Sequence, residues 1–139
     1  MSDSSDIDNA LIAKLGGDAT LLALCPNGIY MDESPPGSTR FVIVSLVNAP
    51  DTPMFEARAF ENPLYFVKAV MLSSAAGNIK AAAARIDALL EQQPLTVSGY
   101  SVSCLRRESR VRQTEVDGGD QSIRWFHRGG QYEVVAAAV

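Results

Sequence analysis

The densest group of side chains that could bind a ligand or partner is a set of six arginines within 23 residues, interleaved with aromatic side chains. Such a mixture is typical of nucleic-acid binding or of a protein interface. Four carboxylates in the same stretch and a sequence pI near 4.9 oppose attraction to a phosphate backbone. An interface with another protein, where Arg and Trp are enriched, explains the mixture better. The residues expected to contribute are Arg106, Arg107, Arg110, Arg112, Arg124, Trp125 and Arg128.

Motifs that support catalysis or phosphate binding do not occur in the sequence. The glycine pairs at 16–17, 118–119 and 129–130 lack the context of a dinucleotide-binding or P-loop motif and are typical of turns. There is no GxSxG elbow, and His127 is the single histidine. We therefore expect no catalytic residue and no cofactor, and a protein that is not an enzyme.

The two cysteines, Cys25 and Cys104, lie far apart in apolar contexts. They are expected to be buried free thiols rather than a disulfide. A single histidine and the lack of a CxxC pair also predict that no metal is bound.

Length and composition predict one domain over residues 1–139, with residues 1–6 as a disordered acidic tail. No apolar run approaches the length that crosses a bilayer, so no membrane partner is expected. Charge is divided unequally: residues 1–67 carry three bases against nine acids, and residues 68–139 carry nine bases against seven acids. This asymmetry fits either two ordinary solvated surfaces or a subunit that contacts its neighbour head to tail.

Apolar periodicity predicts one long helix from Ser73 to Gln93, capped by Ser73 or Ser74 and ended by Pro94. Two short helices are expected before it, one containing Ile7, Leu11 and Leu15 and a second capped by Asp18. The predicted fold is α+β, with a small, mainly antiparallel sheet that has the helices on one face.

The remaining segments are predicted to form the sheet. The apolar runs 40–47 and 64–72 are expected to pair antiparallel, and 100–105 alternates between buried and exposed positions. The charged run 106–116 fits an exposed strand or arm. Residues 123–139 are predicted to form a hairpin that turns at the glycine pair 129–130.

The 16 residues from Asn48 to Pro63 are predicted to be a loop because prolines interrupt them. The loop contains three large apolar residues, which are candidate interface anchors that become ordered on assembly. The alternative is that they pack on the domain's own core. These residues are Met54, Phe55 and Phe60.

The order of these elements resembles the tail-terminator, or tail-completion, proteins of long-tailed bacteriophages. The most specific part is the C-terminal run that holds Arg107-Glu108-Ser109, Arg124-Trp125-Phe126-His127 and Gly129-Gly130-Gln131-Tyr132. The resemblance covers nearly the whole chain, from about residue 10 to residue 136.

This resemblance implies a structural virion protein of the tail or neck, assembled in the host cytoplasm. It implies a hexameric ring that caps the tail tube, ends its polymerisation and docks the head connector. The partners would be identical subunits, the major tail tube protein and the head-tail connector protein, with DNA at most passing through the ring lumen. Two alternatives remain open: a head-side connector or neck ring protein, and a bacterial scaffold or regulator unrelated to phage.

Overall fold

The computed structural model of the protein describes residues 5–49, 51–54 and 57–138. The helices among these residues are α1 (Ser5–Gly16), α2 (Ala19–Leu24) and α3 (Ile79–Leu90), with a 3-10 helix at Ser73–Asn78. The strands are β1 (Ile29–Met31), β2 (Arg40–Asn48), β3 (Asp51–Met54), β4 (Ala57–Glu61), β5 (Leu64–Leu72), β6 (Tyr100–Val116) and β7 (Arg124–Ala138). No helix in this part of the chain is long and apolar enough to cross a membrane.

The strands form one sheet in the order β1-β2-β5-β7-β6, and the β3–β4 hairpin joins β7 through the pair Glu61 and Ala136. Strand β1 runs parallel to β2, and the other pairs are antiparallel. The predicted antiparallel pairing of 40–47 with 64–72 is confirmed. The sheet is therefore mainly antiparallel, with β1 at one edge and β6 at the opposite edge.

The helices cover one face of the sheet. Alternate residues of β2 and β5 point toward them, and the remaining residues point to the other, open face. The main core joins all three helices to the inward-facing strand residues, and a small cluster of Phe41, Ile43 and Val70 lies on the open face. The predicted α+β fold with helices on one face is confirmed.

The two N-terminal helices form where the sequence predicts them. Ile7, Leu11 and Leu15 are fully buried on one side of α1. Asp18 accepts a hydrogen bond from the Leu21 amide at 2.8 Å, which caps α2, and both of its carboxylate oxygens bind the guanidinium of Arg85 on α3. These hydrogen bonds lower the pKa of Asp18 to about 2. Helix α1 begins at Ser5, so residues 5 and 6 are helical rather than part of a tail, and residues 1–4 lie outside the described residues.

The long helix predicted from Ser73 to Gln93 is shorter than expected. Residues 73–78 form a 3-10 helix whose start has no side-chain cap, so the predicted serine cap is wrong. Gly77 and Asn78 favour α-helix poorly, which explains why the α-helix begins only at Ile79. It ends at Leu90 because Gln92 has a φ of 57°, and its amide bonds to Leu105 of β6.

The glycine pair 129–130 is not a turn. Both glycines lie inside β7, which continues through them for 15 residues, and neither has a positive φ. A Cβ atom on Gly129 would lie 2.6 Å from the Cα of Lys68 in β5, and one on Gly130 would lie 2.7 Å from the Ser109 carbonyl oxygen in β6. Glycine is required here by close approach of the neighbouring strands. The hairpin is formed instead by β6 and β7, which turn through residues 117–123.

The prediction that residues 48–63 form a loop is also wrong in part, because β3 and β4 form a hairpin within this segment. Pro53 lies in β3, which is the outermost strand on that side of the sheet. An edge strand tolerates proline because one of its sides needs no hydrogen-bond donor. Proline therefore marked an edge position here rather than the end of strand structure.

Replacing Gly129 with alanine should destabilise the protein by at least about 2 kcal/mol, because the added methyl collides with the backbone of β5. The control is Gly118→Ala, since a Cβ there has no atom within 4 Å, and its cost should stay within about 0.5 kcal/mol. Urea denaturation compares the two variants. Equal midpoints would contradict the close-approach explanation.

Candidate functional site

The arginine-rich segment forms the β6–β7 hairpin. Strand β6 pairs with β7 from Tyr100 opposite Ala138 to Val116 opposite Arg124. Register shifts between Val102 and Cys104 and between Arg107 and Ser109 change which β6 residues face the helices. Consequently the arginines are divided between the two faces of the hairpin.

A cleft of about 490 Å³ lies between α3 and the helix-covered face of this hairpin. Four of the predicted interface residues line it together, namely Arg107, Arg110, Arg112 and Arg128. Its other wall is formed by α3, and its remaining lining residues are Lys80, Ala83, Ala84, Asp87, Val111, Gly129 and Tyr132. The structure thus brings together arginines from two strands and a lysine from a helix.

The inner wall of this basic cleft is fixed by one carboxylate. Asp87 accepts a hydrogen bond from the Tyr132 hydroxyl at 2.9 Å and forms an ion pair of 2.8 Å with Nη1 of Arg107. Burial, and then the hydrogen bond to Asp87, raise the pKa of Tyr132 above its ordinary value. Glu91, which directly follows α3, accepts a hydrogen bond from the Arg107 amide, so Arg107 of β6 is bound both by α3 and by the residue after it. Arg107 is therefore a structural residue of the cleft.

The other cations of the cleft have no such partner. Lys80, Arg110, Arg112 and Arg128 form no ion pair within residues 5–49, 51–54 and 57–138. Lys80, Arg110 and Arg112 are exposed, and Arg128 is half-buried. Four positive charges around one cleft repel each other, and an anion placed among them would relieve that repulsion.

The remaining arginines of the segment lie elsewhere. Arg106 points to the open face, where it pairs with Glu108 at 2.9 Å and Glu133 at 3.5 Å. Arg124 donates to the carbonyl oxygens of Gln121 and Ile123, so it holds the turn of the hairpin. Both arginines already have partners within their own chain.

Trp125 also serves the fold. Its indole nitrogen donates to Asp117 at 3.1 Å, and its ring lies 6.1 Å from that of Phe41 on the open face. The apolar candidates Met54 and Phe60 belong to β3 and β4, and their side chains lie outside the described part of the structure, as does Phe55 entirely. The structure therefore groups neither Trp125 nor these three residues with the cleft.

The open face has a second cavity, of about 440 Å³, between the loop that follows β1 and the strands. His127 is buried there, and its ring nitrogens form no hydrogen bond with the residues that the structure describes. Its Nε2 atom lies 3.4 Å from a Glu115 oxygen. Burial and the nearby charge of Lys68 lower the pKa of His127, while Glu115 opposes this shift. Burial therefore favours the neutral form of the imidazole.

Sequence reasoning missed three residues that build the cleft: Lys80, Asp87 and Tyr132. Lys80 and Asp87 are seven residues apart, which places them on one side of a helix, but nothing in the sequence shows that β6 lies beside that side. Tyr132 offered a clearer signal, because a buried tyrosine hydroxyl normally needs a hydrogen-bond partner.

Other reactive groups in the described part of the chain are isolated. Cys25 and Cys104 are free, as predicted, but only Cys25 is buried and Cys104 is half-buried. Burial raises the pKa of Cys25 to about 11. Among the described residues no group of three or more His, Cys, Asp or Glu side chains could hold a metal ion.

Comparison with known proteins shows similarity at the level of the fold. No family model matches the sequence, and no curated protein matches it. A chain from the virion of a native gene transfer agent (GTA) particle is similar in structure, with a TM-score of 0.66 and 21% identity, covering 96% of this chain and 97% of that one. A second solved chain, whose name states no function, has a TM-score of 0.58 and 15% identity and covers 96% of each chain. At these identities the matches show a shared fold.

Replacing Tyr132 with phenylalanine should cost about 1 kcal/mol of stability, because one hydrogen bond is lost while Asp87 keeps Arg107. Replacing Asp87 with alanine should cost more, about 1–3 kcal/mol, because the buried hydroxyl then has no acceptor. Asp87→Asn is the control, since an amide oxygen can still accept that hydrogen bond. Equal urea midpoints for Asp87→Ala and Asp87→Asn would contradict this assignment.

Stability should fall as the pH drops below about 6.5, partly because of His127. Its pKa is lower in the folded than in the unfolded protein, so the unfolded state takes up the proton first. The contribution of His127 is fully present at higher pH and is lost on acidification. Urea midpoints at pH 7.5 and 5.5 should differ less for His127→Gln than for the parent protein. If the urea midpoint changed by the same amount between pH 7.5 and 5.5 in both proteins, His127 would be excluded as a source of the pH dependence.

Proposed function

We propose that this protein is a structural subunit of a phage-like virion. The observation that carries the proposal is the fold similarity to a GTA virion chain, which extends over nearly the full length of both chains. The similarity thus involves the whole subunit and not a common fragment. The proposal assigns the protein a role in assembly, with no reaction of its own.

The more specific part of the proposal is that the subunit is a tail terminator. It forms a ring of six copies, caps the tail tube, ends its polymerisation and offers a docking surface to the head connector. The sequence resemblance supports this role. A sheet with β1 at one edge and β6 at the other also suits a ring, because opposite edges of neighbouring subunits can meet repeatedly.

The chemistry of the described side chains agrees with a role that depends on contacts. The thiol of Cys25 is buried and its pKa is raised, so it is protonated at neutral pH. The basic cleft instead offers charges suited to binding.

Adding the purified protein to polymerising tail tube protein of the same particle should give tubes that carry a ring at one end. Negative-stain electron microscopy measures tube length and end structure, and native mass spectrometry counts the copies in the ring. Tail tube protein alone is the control and should give longer, uncapped tubes. A strict monomer at high concentration, with tube length unchanged by its addition, would contradict the proposal. A ring that bound the head connector but never the tube would indicate a head-side neck protein.

A further inference from the structure

The acidic counterpart of the basic cleft lies at the other edge of the sheet. Asp32 and Glu33 follow β1 directly, and both side chains are exposed. Their backbone amides bond to Val44 at 2.9 Å and to Met31 at 2.7 Å, so the loop has a fixed conformation at this point. Within the described part of the chain neither carboxylate has a cationic partner.

One copy of the chain cannot bring these two surfaces together. Strands β1 and β6 are separated by four strand spacings of about 4.8 Å each, so the two edges lie about 19 Å apart. The acidic loop also borders the cavity on the open face, whereas the basic cleft lies on the helix-covered face. The sheet itself therefore stands between the loop and the cleft.

Two copies arranged head to tail can bring the acidic loop of one copy next to the basic cleft of the other. The β1 edge of one copy then faces the β6 edge of the next, and the same contact repeats around a closed ring. Where the β1 edge of one subunit overlaps the β6 edge of the next, the open face of the first lies against the helix-covered side of the second. In that arrangement the carboxylates of one subunit can reach the cations of its neighbour. A head-to-head dimer would place two acidic loops or two basic clefts against each other, and the repulsion between like charges disfavours it.

We propose that the basic cleft of each subunit receives Asp32 and Glu33 of the adjacent copy. Arg110 and Arg112 from β6 and Lys80 from α3 surround the space where the carboxylates bind, and Arg128 lies at the strand that forms its floor. Arginine binds a carboxylate through two parallel hydrogen bonds, which gives such a contact a defined orientation.

An acidic protein segment fits the cleft better than a nucleic acid does. Ala83, Ala84 and Val111 add apolar surface between the charges, which suits the aliphatic part of a glutamate side chain. The net charge of −4 further weakens attraction to DNA.

Two variants with opposite changes test this contact, which rests on the proposed function. Variant A carries Arg110→Glu and Arg112→Glu, so that its β6 edge becomes acidic like its β1 edge. Variant B carries Asp32→Asn and Glu33→Lys, where asparagine suits the φ of 64° at position 32. The matched control carries Arg106→Glu and Arg124→Glu, which changes two arginines of the same hairpin outside the cleft.

Variants A and B should each assemble more than about tenfold more weakly than the parent protein, because like charges then meet. An equimolar mixture of A and B should recover assembly, since each contact in an alternating ring again joins opposite charges. The control should assemble as the parent protein does. Native mass spectrometry of the mixture should show equal numbers of A and B, and circular dichroism checks that each variant is folded.

Assembly of A or B alone at the parent level, or a mixture that fails to recover, would overturn the inference while leaving the ring itself in place. If the parent protein fails to form rings even with tail tubes, the proposed function fails as well. Tight binding of duplex DNA by the parent protein at physiological salt, lost in variant A, would identify the cleft as a nucleic-acid site and overturn the proposal.

Discussion

The double-sided pairing of β7 is the constraint on which the rest of the structure depends. Along one edge β7 pairs with β5 and β4, and along the other it pairs with β6 over its whole length. Side chains at Gly129 and Gly130 would collide with the backbones on both sides. Glycines here let three strands approach closely, and the long hairpin extends from that point.

The hairpin in turn depends on α3 for its position. Asp87 on α3 binds Tyr132 of β7 and Arg107 of β6, so one carboxylate connects a helix with two strands. The Gln92 amide bonds to Leu105, and Glu91 accepts from the Arg107 amide. Beyond these contacts β6 continues past Glu108 with no further strand on its outer side among the described residues. The basic cleft occupies the space where helix and hairpin separate.

The two faces of the sheet have different roles. The helix-covered face holds the main core, and its buried residues come from α1, α2 and α3 and from strands β2, β5, β6 and β7. The open face holds a small cluster around Phe41, packed against Tyr30 and Trp125, together with the neutral His127. The first face supplies most of the buried apolar area, which is the main favourable contribution to folding.

The arginine cluster illustrates how far the sequence could predict the site. The number of arginines and their proximity to aromatic residues indicated an interface segment. Four of the arginines do line one cleft. Arg106 and Arg124 are occupied by contacts within the chain, and the sequence could not show this. Two register shifts in β6 decide which side chain faces which way, and they depend on the pairing with β7.

The sequence by itself determined the local elements whose signals lie within a few residues. The buried faces of α1 and α3, the cap at Asp18 and the apolar strands β2 and β5 follow from periodicity and side-chain chemistry. Tertiary structure alone decided the function of the glycines at 129–130, the strand structure around Pro53 and the meeting of Lys80 with the arginines of β6 and β7. Each of these depends on which strand or helix lies beside the residue, and such contacts join parts of the chain that are distant in sequence.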